Sequence, residues 1–159
     1  MDLGLKNKVA FVCASSKGLG KACALELAKE GAHVILTGRD ENELQETKKQ
    51  LQAQTESVAD YIVCDLTRKE DIERAVRLTI KNWNRIDILI NNSGGPPSGT
   101  FEQFTDDDWY QAFELNLLSY VRCIREVLPY MKEQNYGKII NLTSTSIKQP
   151  IPGLLLSNT

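Results

Sequence analysis

Short apolar runs recur along the chain, and amphipathic segments separate them. The runs cover residues 9–13, 33–36, 61–64, 86–90 and 138–142. Most are rich in β-branched residues and apolar nearly throughout, which is typical of parallel strands covered on both faces. Strands that alternate with helices favour right-handed crossovers. The pattern therefore predicts an α/β protein with a doubly wound parallel sheet.

The apolar residues of the intervening segments have helical spacing. The predicted inward faces are Leu19, Cys23 and Leu27; Leu44, Thr47 and Leu51; Ile72, Ala75, Val76, Thr79 and Trp83; and Trp109, Phe113, Leu117, Tyr120, Ile124 and Val127. Capping residues precede three of these helices, namely Asp40 with Glu43, Thr67 with Glu70, and Thr105 with Asp108. We therefore expect four main helices between the five strands.

The turn between the first strand and the first helix is a candidate phosphate cradle. It contains Gly18 and Gly20, and the helical pattern starts at once. Free N–H groups at a helix start favour a phosphate, and glycines let it come close. Two glycines before a helix also occur as plain turn punctuation. Loops 93–104 and 143–153 follow the fourth and fifth strands, so we expect them to converge near this turn.

Composition narrows the class of protein. The 159 residues suffice for one domain, and 19 basic against 21 acidic residues leave a formal charge of −2. This balance argues against nucleic acid as a partner. With no apolar run of membrane-spanning length and no basic-then-apolar leader, we expect a cytoplasmic protein. The four cysteines are far apart without a Cys-x-x-Cys motif, so we expect buried thiols and no metal site.

Five features follow one another along the chain: the turn 13–20, the pair Asp65-Leu66, the segment 91–94, Asn116 and Ser144. In this order they resemble the motifs of the short-chain dehydrogenase/reductase family, most of all its 3-oxoacyl-[acyl-carrier-protein] reductase-like branch. The resemblance covers residues 5–159. It implies one NAD(P)-binding Rossmann domain over residues 1–159, the N-terminal portion of a family domain. It also implies a small-molecule carbonyl or alcohol substrate and a homo-oligomer.

The resemblance assigns cofactor contacts residue by residue. These are Ala14, Ser15, Ser16, Lys17, Gly18, Leu19, Gly20, Arg39, Asp65, Leu66, Asn92, Ser93 and Gly94. Ala14 replaces the first glycine of the family turn, which we expect to be tolerable only if its φ is negative. Asp65 and Leu66 resemble the adenine-contacting pair, although Asp65 also suits a cap for the helix at Thr67. Residues 91–94 resemble the family's Asn-Asn-Ala-Gly, although a polar turn after a strand has a similar composition.

The residues after the second strand bear on the choice of cofactor. NAD-preferring members carry an acid where this chain has Gly38. The guanidinium of Arg39 and the ammonium of Lys17 suit a ribose 2′-phosphate. We therefore expect NADP(H) rather than NAD(H), against the alternative of two solvated surface charges.

Three residues correspond to catalytic positions of the family. Asn116 matches the asparagine that bends a helix and holds a relay water, although a satisfied amide inside a helix has the same pattern. Ser144 matches the serine that binds the substrate carbonyl, with Ser146 or Thr143 as alternatives. The family tyrosine follows that serine by thirteen positions, where this chain has Ser157. A serine hydroxyl donates a hydrogen bond but is a poor general acid. The lysine of that motif would lie beyond Thr159.

The five predicted strands are fewer than the family fold contains. Family domains continue through a further helix, two strands and another helix, so we expect a sheet truncated after the fifth strand, with an uncovered edge. Two main functions follow as hypotheses. One is an NADP(H)-dependent oxidoreductase, and the other is a catalytically impaired nucleotide-binding module or fragment. We expect the tyrosines of the fourth helix and of the turn after it to pack or to face solvent; they are Tyr110, Tyr120, Tyr130 and Tyr136.

Overall fold

Five parallel strands form one sheet in the computed structural model, which describes residues 3–158. The strands are β1 (Val9–Val12), β2 (His33–Gly38), β3 (Ala59–Val63), β4 (Ile88–Asn91) and β5 (Lys138–Asn141). Their spatial order is β3-β2-β1-β4-β5, so the chain reverses direction across the sheet between β3 and β4. The α/β doubly wound fold is confirmed, and every strand overlaps its predicted run.

Helices cover both faces of the sheet. They are α1 (Gly18–Lys29), α2 (Glu41–Gln54), α3 (Lys69–Trp83), α4 (Asp106–Phe113), α5 (Ser119–Glu133) and the short α6 (Leu155–Asn158). Alternate residues of β1 enter two separate cores, with Phe11 on the side of α3 and α5 and Val12 on the side of α1 and α2. Burial of each such side chain contributes about 1.5–3 kcal/mol. Within residues 3–158, no helix has the length and apolarity needed to cross a membrane.

The inward face of α1 differs from the predicted one. Leu19 is 70% exposed, whereas Gly20, Ala24 and Ala28 are buried against the sheet. The small residues let α1 approach β1 and β2 closely, so the larger Leu side chains lie at the margin. The helical period was correct, but the prediction placed the apolar face on the larger side chains.

The capping predictions had different outcomes. Asp40 caps α2 as expected, since its carboxylate accepts a hydrogen bond from the Glu43 N–H at 3.1 Å. Thr105 and Asp108 form the predicted capping box of α4. The cap at Thr67 was wrong, because the N-cap of α3 is Arg68, without a side-chain bond. The Thr67 N–H and hydroxyl instead donate to the Asp65 carboxylate at 2.9 and 2.8 Å.

The fourth predicted helix is interrupted by one turn of π-helix. Residues Glu114–Leu118 form this turn between α4 and α5. A π turn contains an extra residue and rotates the helical face. For this reason Phe113 and Leu117, predicted to be inward, are about half exposed, whereas Val127 is fully buried. Asn116 lies in the middle of the π turn, where the sequence predicted a disturbed helix.

β5 is an edge strand. Among the described strands it pairs with β4 alone, and all four of its residues are exposed. Ile139 and Ile140 have 36% and 49% of their surface accessible. Within residues 3–158, β5 is therefore one edge of the sheet.

Candidate functional site

A cleft of about 740 Å³ opens beyond the carboxyl ends of β1, β2, β3 and β4. It is lined by eleven of the thirteen predicted cofactor residues: Ala14, Ser16, Lys17, Gly18, Leu19, Arg39, Asp65, Leu66, Asn92, Ser93 and Gly94. These residues come from four loops that are far apart in the chain, and the strand order brings them to one edge of the sheet. Ligands of open α/β sheets bind at such an edge.

Ser15 and Gly20, the other two predicted cofactor residues, shape the turn without lining the cleft. Ser15 is fully buried, and its hydroxyl donates to the Val12 carbonyl at 2.8 Å and accepts from the Thr37 N–H at 3.0 Å. A Cβ at Gly20 would lie 2.8 Å from Asn92 Nδ2 and overlap the Ala14 carbonyl. Gly20 therefore lets α1 begin against the turn and the end of β4.

The backbone of Ala14 departs from the expectation that its φ would be negative. Its φ is +44°, in the left-handed region that glycine favours. An alanine there carries a strain of about 1–2 kcal/mol. Asn92 stabilises this conformation by donating from Nδ2 to the Ala14 carbonyl at 3.1 Å. Gly18 also has a positive φ, of +59°, and open space where a Cβ would lie.

Lys17 lines the cleft but already has an anionic partner. Its Nζ lies 3.0 Å from Glu43 Oε1, and the Ser16 hydroxyl donates to Glu43 Oε2 at 2.9 Å. The hydrogen bond from Lys17, and then that from Ser16, lower the pKa of the Glu43 carboxyl. Sequence reasoning assigned Glu43 only to the cap of α2. Its N–H has that role, while its side chain crosses to the turn after β1, a contact that no local pattern indicates.

Arg39 and Asp40 follow β2 at the same part of the cleft. Arg39 is exposed, and among residues 3–158 it has no hydrogen-bond or ion-pair partner. Asp40 is occupied as the N-cap of α2. Arg39 is therefore free to bind a ligand anion without first breaking an ion pair.

Asp65 and Leu66 follow β3. Asp65 accepts from the N–H and hydroxyl of Thr67, but these bonds do not cap α3, because its N-cap is Arg68. The Asp65 N–H donates to the Asp71 carboxylate at 3.0 Å, which lowers the pKa of Asp71. Leu66 is 6% exposed and closes the cleft on its apolar side.

The asparagines after β4 link neighbouring elements of the sheet. Asn91 Nδ2 donates to Asn141 Oδ1 at 2.8 Å and joins β4 to β5. Asn92 joins β4 to the turn at Ala14. The Ser93 hydroxyl donates to Asn116 Oδ1 at 2.9 Å, which fixes the π turn beside the cleft. The amides therefore hold the centre of the sheet together, as expected from their position.

Ser144 and Ser157 meet through Ser146, outside the residues that line the cleft. Ser146 is fully buried, and its hydroxyl lies 2.8 Å from Ser144 Oγ and 3.0 Å from the Ser157 carbonyl. A carbonyl only accepts, so the single Ser146 proton goes to Ser157 and Ser144 donates to Ser146. Ser146 is therefore buried between Ser144 and Ser157, and the choice among Ser144, Ser146 and Thr143 stays a prediction.

The tyrosines have packing or solvent-facing positions. Tyr110 is 72% exposed. The Tyr120 hydroxyl donates to the Leu142 carbonyl at 2.9 Å, and burial raises its pKa. The Tyr136 ring lies under the Lys8 ammonium, 4.0 Å from the ring centre.

Three cysteines form a buried group beside the turn. Cys13 Sγ and Cys123 Sγ are 3.8 Å apart. Contact with Cys123, and then burial, raise the pKa of Cys13, while burial raises that of Cys64 to about 12. Cys13 and Cys64 therefore stay protonated near neutral pH, and both pack with Cys123 in the core.

The five-stranded parallel sheet and the cleft at its carboxyl edge define a doubly wound α/β domain of the Rossmann type. A family model described as short chain dehydrogenase matches residues 8–156, and the chain belongs to that family. An uncharacterized oxidoreductase of Staphylococcus saprophyticus is 36% identical over 142 residues, 89% of this chain and 61% of that protein. The chain spans about 60% of the length of the curated relatives it matches.

Two solved structures show how similar the backbone is. L-Sorbose reductase from Gluconobacter frateurii, in complex with NADPH and L-sorbose, has a TM-score of 0.96 at 31% identity and covers 99% of this chain and 60% of its own. An NAD⁺-bound xylitol dehydrogenase has a TM-score of 0.90 at 25% identity over 96% of this chain and 59% of its own. The two carry different nicotinamide cofactors.

Proposed function

We propose that this chain carries the NADP(H)-binding part of an oxidoreductase that transfers a hydride to or from a small-molecule carbonyl or alcohol. The observation that carries the proposal is the cleft at the sheet edge, where the predicted cofactor residues of four separate loops converge. A 3-oxoacyl thioester is the substrate class we propose first, because the motifs of the chain resemble those of the 3-oxoacyl-[acyl-carrier-protein] reductase-like branch.

The cleft suits a dinucleotide on its own geometry. The N-terminus of α1 faces it through Lys17, Gly18 and Leu19, so free backbone N–H groups and the helix dipole favour a pyrophosphate. A Cβ at Gly94 or Gly95 would meet nothing within 4 Å, so the backbone after β4 is open to a ribose. The nicotinamide cofactor supplies the hydride when it is bound.

The choice of NADP(H) over NAD(H) rests on charge. Arg39 is unpaired among the described residues, and Gly38 leaves no carboxylate where NAD-preferring relatives have one. A guanidinium binds a phosphate through two parallel hydrogen bonds.

On the substrate side, the proposal gives Ser144 and Asn116 the roles of their family positions. Ser144 Oγ would exchange its bond to Ser146 for one to the substrate oxygen, which polarises a carbonyl. Asn116, held by Ser93, would orient the relay water. Ser157 would donate a hydrogen bond to the substrate oxygen. It would not serve as the general acid, because a serine hydroxyl is a poor proton donor near neutral pH.

The same Ser157 favours a second candidate, a nucleotide-binding module without turnover. Both candidates bind the cofactor, so turnover separates them. Ketones and 3-oxoacyl thioesters are offered with NADPH to the full-length protein, and Ser144→Ala is the control for any activity. Turnover that Ser144→Ala abolishes supports the oxidoreductase, and complete inactivity with intact cofactor binding supports the second candidate.

The cofactor assignment is tested by Arg39→Ala. We expect titration of the wild type with NADPH to give a saturable fluorescence change. In Arg39→Ala the affinity for NADPH should fall about tenfold or more, since a charge-assisted hydrogen bond contributes about 1.5–3 kcal/mol. NADH affinity should change by less than about twofold on the same argument. Arg77→Ala, at an exposed position of α3 away from the cleft, is the control. Equal losses for both cofactors would refute the 2′-phosphate assignment.

A homo-oligomer is also part of the proposal. Tyr110, Phe113, Leu117 and Val121 are exposed apolar side chains at helical spacing across α4 and α5. Such a face is typical of an association surface. Sedimentation velocity of the wild type and of Phe113→Ser measures the mass, and a monomeric wild type would contradict this point.

A further inference from the structure

Two cations and two carboxylates share the part of the cleft between the turn after β1 and the start of α2. The cations are Lys17 and Arg39, and the anions are Asp40 and Glu43. Their formal charges sum to zero, so the two carboxylates offset part of the attraction that the cations exert on a phosphate entering here.

Glu43 is the carboxylate that binds the two side chains, Lys17 and Ser16, which would otherwise be available to a phosphate. Its Oε1 binds the Lys17 ammonium at 3.0 Å and its Oε2 accepts from the Ser16 hydroxyl at 2.9 Å. An ammonium and a hydroxyl are also the donors that a phosphate oxygen would use. The side-chain carboxylate of Asp40, by contrast, accepts from the Glu43 N–H as part of the cap.

We propose, on the basis of the proposed function, that Glu43 is a specificity-determining residue. It lowers the affinity for NADP(H) and so reduces the ratio by which the chain prefers NADP(H) to NAD(H). A ribose 2′-phosphate has to take Lys17 and Ser16 from the Glu43 carboxylate, whereas a ribose 2′-hydroxyl makes no such demand. Glu43 touches neither the hydride nor the substrate, so its effect is on binding.

The opposite role, in which Glu43 holds Lys17 ready for the phosphate, makes a different prediction. Removal of the Glu43 charge would then weaken NADPH, because Lys17 would lose its orientation. Competition predicts stronger binding instead, because one negative charge is removed from beside a phosphate. At this exposed site, where solvent and salt screen the charges, we expect about a five- to tenfold gain.

The test compares Glu43→Gln with Glu46→Gln in the full chain. Glu46 lies one turn further along α2, is exposed, and bonds only to Gln50 among the described residues. NADPH and NADH are titrated by fluorescence at low and high salt. We expect Glu43→Gln to tighten NADPH about five- to tenfold at low salt and less at high salt, with NADH changed by less than about twofold. Glu46→Gln should leave both affinities unchanged.

The outcomes separate this inference from the function on which it rests. If the wild type binds neither cofactor, the proposed function fails and the inference fails with it. If the wild type binds NADPH and Glu43→Gln leaves that affinity unchanged or lowers it, the inference alone is overturned. Competition of adenosine 2′,5′-bisphosphate and 5′-AMP against bound NADPH gives a second measurement, in which only the bisphosphate should gain. Glu43→Ala replaces Glu43→Gln if thermal unfolding shows that the latter is not folded.

Discussion

Gly20→Ala adds one methyl group at the point where α1, the turn after β1 and the end of β4 meet. The new Cβ would lie 2.8 Å from Asn92 Nδ2, 2.9 Å from the carbonyl carbon of Ala14, and closer still to its oxygen. Those atoms are backbone and an amide hydrogen-bonded to it, so neither can rotate away. We therefore expect the substitution to separate α1 from the turn.

The magnitude follows from two opposing effects. Alanine is favoured over glycine inside a helix by about 1 kcal/mol. Overpacking costs about 1–3 kcal/mol, and the rigid neighbours place Gly20→Ala at or above the upper end. The net loss is about 2 kcal/mol. With a urea m-value of about 2 kcal/mol/M, the unfolding midpoint should fall by about 1 M.

The assay is urea unfolding followed by circular dichroism, together with NADPH titration. Gly95→Ala is the matched control, because a Cβ there meets nothing within 4 Å. Its midpoint should stay within about 0.3 M of the wild type, as for most surface substitutions. Gly20→Ala should also weaken NADPH, since the turn that faces the pyrophosphate has moved. A Gly20→Ala protein as stable as the wild type would refute the close approach of α1 to the turn.

Two further predictions concern charges outside the cleft. Asp87 is fully buried and accepts from the Val9 N–H and from Arg85 at 2.6–2.8 Å, so Asp87→Asn should cost roughly 2–3 kcal/mol in urea unfolding. Asp60→Asn, which breaks the half-exposed pair with Lys48, should cost less than about 1 kcal/mol, and equal losses would contradict the burial argument. Bonds from the Thr105 N–H and hydroxyl lower the pKa of Asp108 below its ordinary value of 3.8. The Asp108 carboxylate therefore contributes fully to stability above pH 3.8, and this contribution is lost as the pH falls through the lowered pKa. Asp108→Asn should be less stable than the wild type at pH 7 but not at about pH 2.

The predictions that succeeded rest on local chemistry. Apolar runs identified all five strands. For β1, β2 and β4 the reason is that a strand covered on both faces needs apolar residues at nearly every position, whereas the run at β5 is apolar although its residues are exposed. Asp40 and Thr105 were recognised as caps because a helix start needs an acceptor within three residues. The cap at Thr67 failed because α3 begins one residue later, with Arg68 as its N-cap, while the Thr67 hydroxyl donates to the Asp65 carboxylate.

The predictions that failed depended on how closely elements approach. Leu19 and Phe113 satisfy a helical period, yet both are largely exposed. At α1 the sheet selects the small residues, and at α4 the π turn rotates the face away from the core. The helical spacing of apolar residues does not indicate how closely a helix packs against the sheet.

The sequence predicts the order of strands and helices, the parallel sheet and the glycine turn at the start of α1, because spacing and residue type act within a few positions of the chain. Three features are visible in the folded protein alone: the positive φ of Ala14, the link from Ser144 to Ser157 through Ser146, and the contact of the Glu43 side chain with Lys17. Each of these depends on residues brought together by packing, and a side chain's nearest partner across the sheet edge leaves no trace in local periodicity.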